Sequence, residues 1–139
     1  MLTIQLLDWP KAKTEARRIR FIVFVDEQRV PPDLEMDEHD ASSIHALAFA
    51  EGQAVGTGRL LLDGHIGRMA VLKEWRGRGV GRALLRALIE AARRRGDKDV
   101  VLNSQVHALG FYGAEGFEAE GPVYEEAGIP HQVMRLRLR

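Results

Sequence analysis

The chain has no cysteine, which removes disulfides, thiol nucleophiles and Cys-based metal sites together. It has no net charge either. Its 20 Lys and Arg against 20 Asp and Glu give +0 at pH 7, so no global field draws it to nucleic acid or to a membrane surface. Long apolar runs are missing: Phe21 to Val25 falls far short of the roughly 20 residues that span a bilayer. The amino terminus lacks the basic-then-apolar pattern of a signal peptide. A soluble cytoplasmic protein is the expectation. What remains, 139 residues that are 45% hydrophobic and 29% charged, is a globular balance long enough to bury a core without staples. One domain over residues 1–139 is expected.

Thr3 to Leu7 reads as a first strand, followed by Asp8 as N-cap and Pro10 in the first turn of a helix. Ala12, Ala16, Ile19 and Val23 recur at helical spacing, with Lys11, Arg17, Arg18 and Arg20 on other faces. The apolar tail of that segment, Phe21 to Val25, is expected to be buried. Val30-Pro31-Pro32 breaks the pattern, and an acidic loop from Asp33 to Asp40 follows, read as solvated. Three strands, 44–50, 54–62 and 66–71, are separated by turns at Glu51-Gly52-Gln53 and Asp63-Gly64, a meander of hairpins.

The clearest helix runs from Val80 to Arg95, with Val80, Leu84, Leu85, Leu88, Ile89 and Ala92 on one stripe and Gly96 to stop it. A short strand at 100–102 comes next. Asn103 or Ser104 then caps a short helix over 108–115 that ends at Gly116. Strands at 117–123 and 133–139 complete the order β, α, three β, α, β, α, two β. This predicts an α+β class, an α/β mixed sheet covered by helices.

The most informative stretch is Arg76-Gly77-Arg78-Gly79-Val80-Gly81. Glycine lets consecutive N–H groups turn to one side and keeps no Cβ between backbone and ligand. The helix behind it adds unpaired N–H groups and a positive dipole end, so the turn is a seat for a phosphate or pyrophosphate. No Gly-Lys-Ser/Thr closes it as a Walker loop. The third glycine of a dinucleotide fingerprint would fall at Arg82. A different phosphate binder is needed.

Ile66-Gly67-Arg68-Met69-Ala70-Val71, four residues, then Arg76 to Gly81 resembles the cofactor region of the GCN5-related N-acetyltransferases, with Arg76, Gly79 and Gly81 filling the Arg/Gln-x-x-Gly-x-Gly/Ala motif. Phe111-Tyr112 and Gly116-Phe117 resemble that family's later Tyr-x-x-x-Gly-Phe signature. Phe24 to Gln28, the Pro31 loop, Gln105-x-His107 and Tyr124 to His131 are similar to its ElaA-like branch. The likeness runs from about Arg20 to Met134. It implies the acyl-CoA N-acyltransferase fold, a central, mostly antiparallel sheet flanked by helices. It also implies acetyl-CoA as acetyl donor and a small-molecule or peptide amine as acceptor, with no nucleic acid, membrane or metal involved. A homodimer is compatible with it.

By that resemblance the backbone of Arg76, Gly77, Arg78, Gly79, Val80, Gly81 and Arg82 holds the pyrophosphate, with the side chains of Arg76, Arg78 and Arg82 nearby for charge. Met69, Ala70 and Val71 correspond to the strand that pairs with the pantetheine arm, an N–H near Met69 or Val71 polarising the thioester oxygen. Asn103 is placed to contact the cofactor near the same strand end. Tyr112 is the candidate general acid; a phenol with a pKa of about 10 keeps its proton at neutral pH. The amine arrives protonated and needs a base, for which Glu27, Glu35, Glu125, His107 and His131 are candidates, led by His131. Asp33, Asp37, His39 and Asp40 lack the spacing of a metal site. Two other readings stay open: a noncatalytic acyl-CoA sensor, and a protein that binds ordinary nucleotide phosphates.

Overall fold

Six residues, Leu2–Leu7, form β1 and lead to Asp8, whose carboxylate accepts the Lys11 N–H at 3.2 Å and starts α1 (Trp9–Arg20). The computed structural model describes residues 1–35 and 37–139, and of Asp33 and Leu34 the backbone alone. Ala12, Ala16 and Ile19 form the buried stripe of α1, which runs on into wider π-helical turns at Phe21–Glu27. Val23 stays buried there, but Phe21 is 49% exposed. The buried-tail expectation therefore holds for one side only: consecutive helical residues point around the whole circumference, and one side meets the sheet. Pro32 opens the short α2 (Pro32–Glu35).

β2 (Ile44–Ala50), β3 (Gln53–Leu60) and β4 (Ile66–Val71) pair antiparallel in the order β1-β2-β3-β4, the predicted meander. Across this sheet lies α3 (Val80–Arg95), ended by Gly96 in the left-handed region. It approaches closely because β3 carries glycine beneath it. A Cβ on Gly56 would come 2.9 Å from Leu84 Cδ1, and one on Gly58 2.5 Å from Met69 Sδ and 3.0 Å from Leu88 Cδ1.

β5 (Asp99–Gln105), α4 (Leu109–Gly113), β6 (Glu118–Glu126) and β7 (Ile129–Arg137) follow. The last three strands form a second antiparallel sheet, ordered β5-β7-β6. The single mixed sheet is thereby corrected to two antiparallel sheets. Among the described residues they are joined by one parallel bridge, His65 to Val101. The reason lies in β4: Thr57 faces Ala70 and Arg59 faces Gly67, so Gly58 opposes both Arg68 and Met69. Such a bulge bends and twists its strand, and Arg68 adopts φ 50 to make it. Asn103 and Ser104 prove to be β5 residues paired with Val133 and Gln132, not helix caps. Among the described residues no side chain caps α4. Pro130 fits inside the central β7 because β5 ends opposite His131, one residue earlier.

The largest departure from the sequence expectation is Arg20, which is 1% exposed rather than solvent-facing. Its Nε donates to Glu35, and its terminal nitrogens reach the two Asp40 oxygens at 2.8 and 3.1 Å. Arg59 adds bonds of 2.7 Å to each Asp37 oxygen and 2.9 Å to Asp40. The acidic segment thus folds inward rather than lying solvated. Forked guanidinium–carboxylate pairing satisfies both partners, which burial requires. Asp33 lies outside the described side chains.

Removing one partner of a buried pair costs about 3–5 kcal/mol, so Arg20→Met is expected to lose stability on that scale in urea unfolding. Burial by itself would raise the Asp37 pKa, but the Arg59 hydrogen bonds and the charges of Arg59 and Arg68 outweigh it and lower it from 3.8 to about 2. Asp40 is lowered likewise, by Arg20 and Arg59 against its burial. Folded values below unfolded ones mean stability that is present above the unfolded pKa and lost as pH falls through the folded one. Unfolding free energy is therefore expected to drop between about pH 4 and pH 2, and Arg59→Gln to flatten that slope.

Candidate active site

The parting of the two sheets leaves the far edge of β4, among the described residues, without a strand paired to it. Leu72 N–H donates to Val55 O at 2.9 Å, so Leu72 and, by alternation, Ala70 turn toward β3. The backbone groups of Met69 and Val71 turn the other way, into the gap. A cleft of about 580 Å³ opens there, with Met69, Asn103, Tyr112 and His131 all on its walls. Four predicted site residues, drawn from β4, β5, α4 and β7, are therefore brought together.

The glycine turn lies beyond the end of β4. Gly77 and Gly79 have φ 74 and 84, and a Cβ on either would meet nothing within 4 Å. They serve conformation and open approach. Gly81 serves packing, since its Cβ would sit 3.4 Å from Phe111 Cζ. Among the described residues no side chain caps α3, so its first-turn N–H groups are left without a side-chain acceptor there. The structure does not put this turn on the large cleft; Arg78 and Val80 line a separate hollow of about 240 Å³ with Trp75 and Leu2.

The three arginines nearby are less available than the sequence suggests. Arg76 forks onto Glu27 at 2.9 and 2.8 Å and donates to Val71 O at 2.9 Å. Arg78 lies over the Trp75 ring at 4.8 Å, and Arg82 Nε is 3.8 Å from Glu115.

Tyr112 packs edge-on against Phe111 and Phe117, ring centroids 5.0 and 6.0 Å apart. Burial pushes its pKa up to about 12. His131 is 7% exposed, with Nδ1 2.7 Å from Ile129 O. A carbonyl only accepts, so Nδ1 carries the proton and Nε2 of the neutral ring presents a lone pair. Tyr124 stacks on the ring, and Glu126 Oε2 lies 3.8 Å from Nε2. Among the other candidate bases, Glu27 is held by Arg76 and Glu35 by Arg20. His107 Nε2 is 2.6 Å from Gln105, whose amide donates to Gln28 at 2.9 Å. Glu125 is exposed on β6 opposite Pro130.

Sequence reasoning missed Gln28, Arg59, Arg68 and Glu126 as cleft residues. For Glu126 a signal existed. Ala127-Gly128, both at positive φ, is a two-residue hairpin turn that sets Glu126 opposite Ile129 and Tyr124 opposite His131. For the arginines there was none. Among the described residues no group of His, Cys, Asp and Glu could hold a metal ion, and no helix is long and apolar enough to cross a membrane.

The acetyltransferase (GNAT) domain model matches residues 14–138. The chain belongs to the GNAT acetyltransferases. Within them it sits on the ElaA-like branch. Escherichia coli ElaA is 34% identical over 122 residues, covering 82% of this chain and 80% of ElaA. Its crystal structure superposes with a TM-score of 0.86 at 31% identity, covering 97% of this chain and 99% of that one. An acyl-CoA N-acyltransferase from Pseudomonas aeruginosa gives a TM-score of 0.87 at 33% identity, with 97% and 99% covered. Bacillus subtilis YyaT is 36% identical over 126 residues, covering 86% of this chain and 85% of YyaT. The acyl-CoA N-acyltransferase fold anticipated from the motifs is thus the fold of this GNAT member.

With its pKa near 12, Tyr112 is expected to keep its proton beyond the range of an ordinary tyrosine. In an ultraviolet titration of wild type against Tyr112→Phe, the phenolate signal that disappears should be the one that arises at the highest pH.

Proposed function

We propose that the chain is an acetyl-CoA-dependent N-acetyltransferase that passes the acetyl group directly to a primary amine in a ternary complex. The observation that carries this reading is the outward β4 edge at Met69, opening into a cleft walled by Tyr112 and His131. The reading takes residues 1–139 as one catalytic domain working in the cytoplasm, where acetyl-CoA is supplied.

The residues fit such a donor. N–H groups from Arg76 to Arg82 would hold the pyrophosphate, with Gly77 and Gly79 leaving the approach open. The β4 edge would pair with the pantetheine arm beside Asn103, and a Met69 or Val71 N–H would face the thioester oxygen. When bound, acetyl-CoA supplies the acetyl group as a reactive thioester. His131 Nε2 accepts a proton from the acceptor ammonium, directly or through water, with Glu126 Oε2 3.8 Å away. Tyr112 holds its proton toward the departing sulfur. Against a thiol of pKa about 8.5, full transfer from a phenol near 12 is uphill by on the order of 5 kcal/mol. Tyr112 therefore acts through a hydrogen bond that strengthens as charge develops.

The test is release of free CoA thiol from acetyl-CoA in a screen of amino acids, amino sugars, polyamines and lysine peptides. Tyr112→Phe is expected to slow release about 100-fold while acetyl-CoA still raises its melting temperature. Gly79→Val should lose that rise in melting temperature. Acetyl-CoA binding without release for any amine would overturn catalysis and leave a sensor.

A further inference from the structure

We propose that the acceptor is an amine that also carries a carboxylate, and that Arg68, backed by Arg59, selects it. This rests on the acetyl-transfer reading above and names its substrate class.

Both arginines line the cleft. Gly56 and Gly58 of β3 face α3, against Leu84 and Leu88, so alternation turns Arg59 to the opposite face, toward α1. Arg68 stands at the β4 bulge immediately before Met69, with its side chain 26% exposed. It holds φ 50 there, a conformation that costs a residue other than glycine on the order of 1 kcal/mol. A glycine would make the bulge without strain. What arginine adds is a guanidinium beside the β4 edge.

The protein itself demonstrates that the pair takes a carboxylate. Asp37 is gripped by Arg59 through two bonds of 2.7 Å, and its Oδ2 lies 3.1 Å from a terminal nitrogen of Arg68. Arg68 Nε also donates to Glu35 O at 3.1 Å and lies 3.8 Å from the Glu35 carboxylate. The cluster sets three guanidiniums, Arg20, Arg59 and Arg68, against three carboxylates, Glu35, Asp37 and Asp40. Arg59 Nε is buried with no acceptor among the described residues. Partial burial, then the neighbouring Arg59 and Arg20 charges, loosen the hold of Arg68 on its proton, against the pull of Asp37 and Glu35. A carboxylate arriving at Arg68 would offset the neighbouring Arg59 and Arg20 charges, whereas an ammonium at this wall would add to them.

The opposite wall has the complementary character. His131 and Glu126 line the cleft on the β6–β7 side, where an ammonium is to be deprotonated. A zwitterionic acceptor lies across the cleft with its carboxylate at β3–β4 and its amine at β6–β7. Lone amines satisfy one wall only.

The test pairs acceptors that differ only in the carboxylate, such as lysine with cadaverine and phenylalanine with phenethylamine, assayed by thiol release from acetyl-CoA. Wild type is expected to favour the carboxylate partner in kcat/KM by about 10-fold or more. Arg68→Met should collapse that ratio, mainly through acceptor KM, and Arg68→Lys should keep part of it. A rise in melting temperature with acetyl-CoA certifies that both variants fold. Equal or better use of the decarboxylated partners, or an Arg68→Met loss that falls on both partners alike, overturns the carboxylate assignment and leaves acetyl transfer standing. No release with either set, although acetyl-CoA raises the melting temperature, overturns both.

Discussion

A strand edge that finds no partner organises this molecule. Beyond the bulge at Arg68 and Met69, the outward backbone groups of β4 face a gap where a neighbouring strand would normally lie. Unmatched peptide groups are tolerated only where water or a ligand meets them. β5 is the edge strand of the second sheet, and among the described residues it meets the first sheet only through the bridge from Val101 to His65, short of Met69.

The buried charges hold the other side of that gap. Arg20, Arg59 and Arg68 gather Glu35, Asp37 and Asp40 against the α1 face of the first sheet. His45, 1% exposed, adds a ring-nitrogen bond to Asp40 O at 2.9 Å, and Arg20 lies over Trp9. The described side chains of that segment are thereby tied to the sheet by charge. Because Arg59 and Arg68 belong to both the cluster and the cleft, the polarity of the cleft wall and the stability of the acidic segment share the same groups.

Much of this was legible in the residues. The spans of α3, β2 and β4, the Asp8 cap and the Gly96 stop followed from local rules that depend on neighbours in sequence. So did the glycine turn and, through family likeness, the gathering of Met69, Asn103, Tyr112 and His131. What failed was of two kinds. Periodicity treats every arginine as solvent-facing, and the burial of Arg20 depends on carboxylates 15 and 20 positions away. Sheet membership is also a long-range choice. Nothing in 100–102 says that the strand extends to Gln105 and pairs with β7 rather than running on beside β4, and so Asn103 and Ser104 looked like helix caps.

The walls of the cleft are tied by a contact between residues far apart along the chain. Gln105 reaches Gln28 across 77 positions. Closing so long a loop costs entropy before the contact returns anything. During synthesis the first sheet and α1 can assemble while the second sheet is still unmade. The cleft is then the last feature to appear, formed only when the carboxyl-terminal strands dock. A nascent chain paused after α3 would already carry the glycine turn but possess one wall of the cleft.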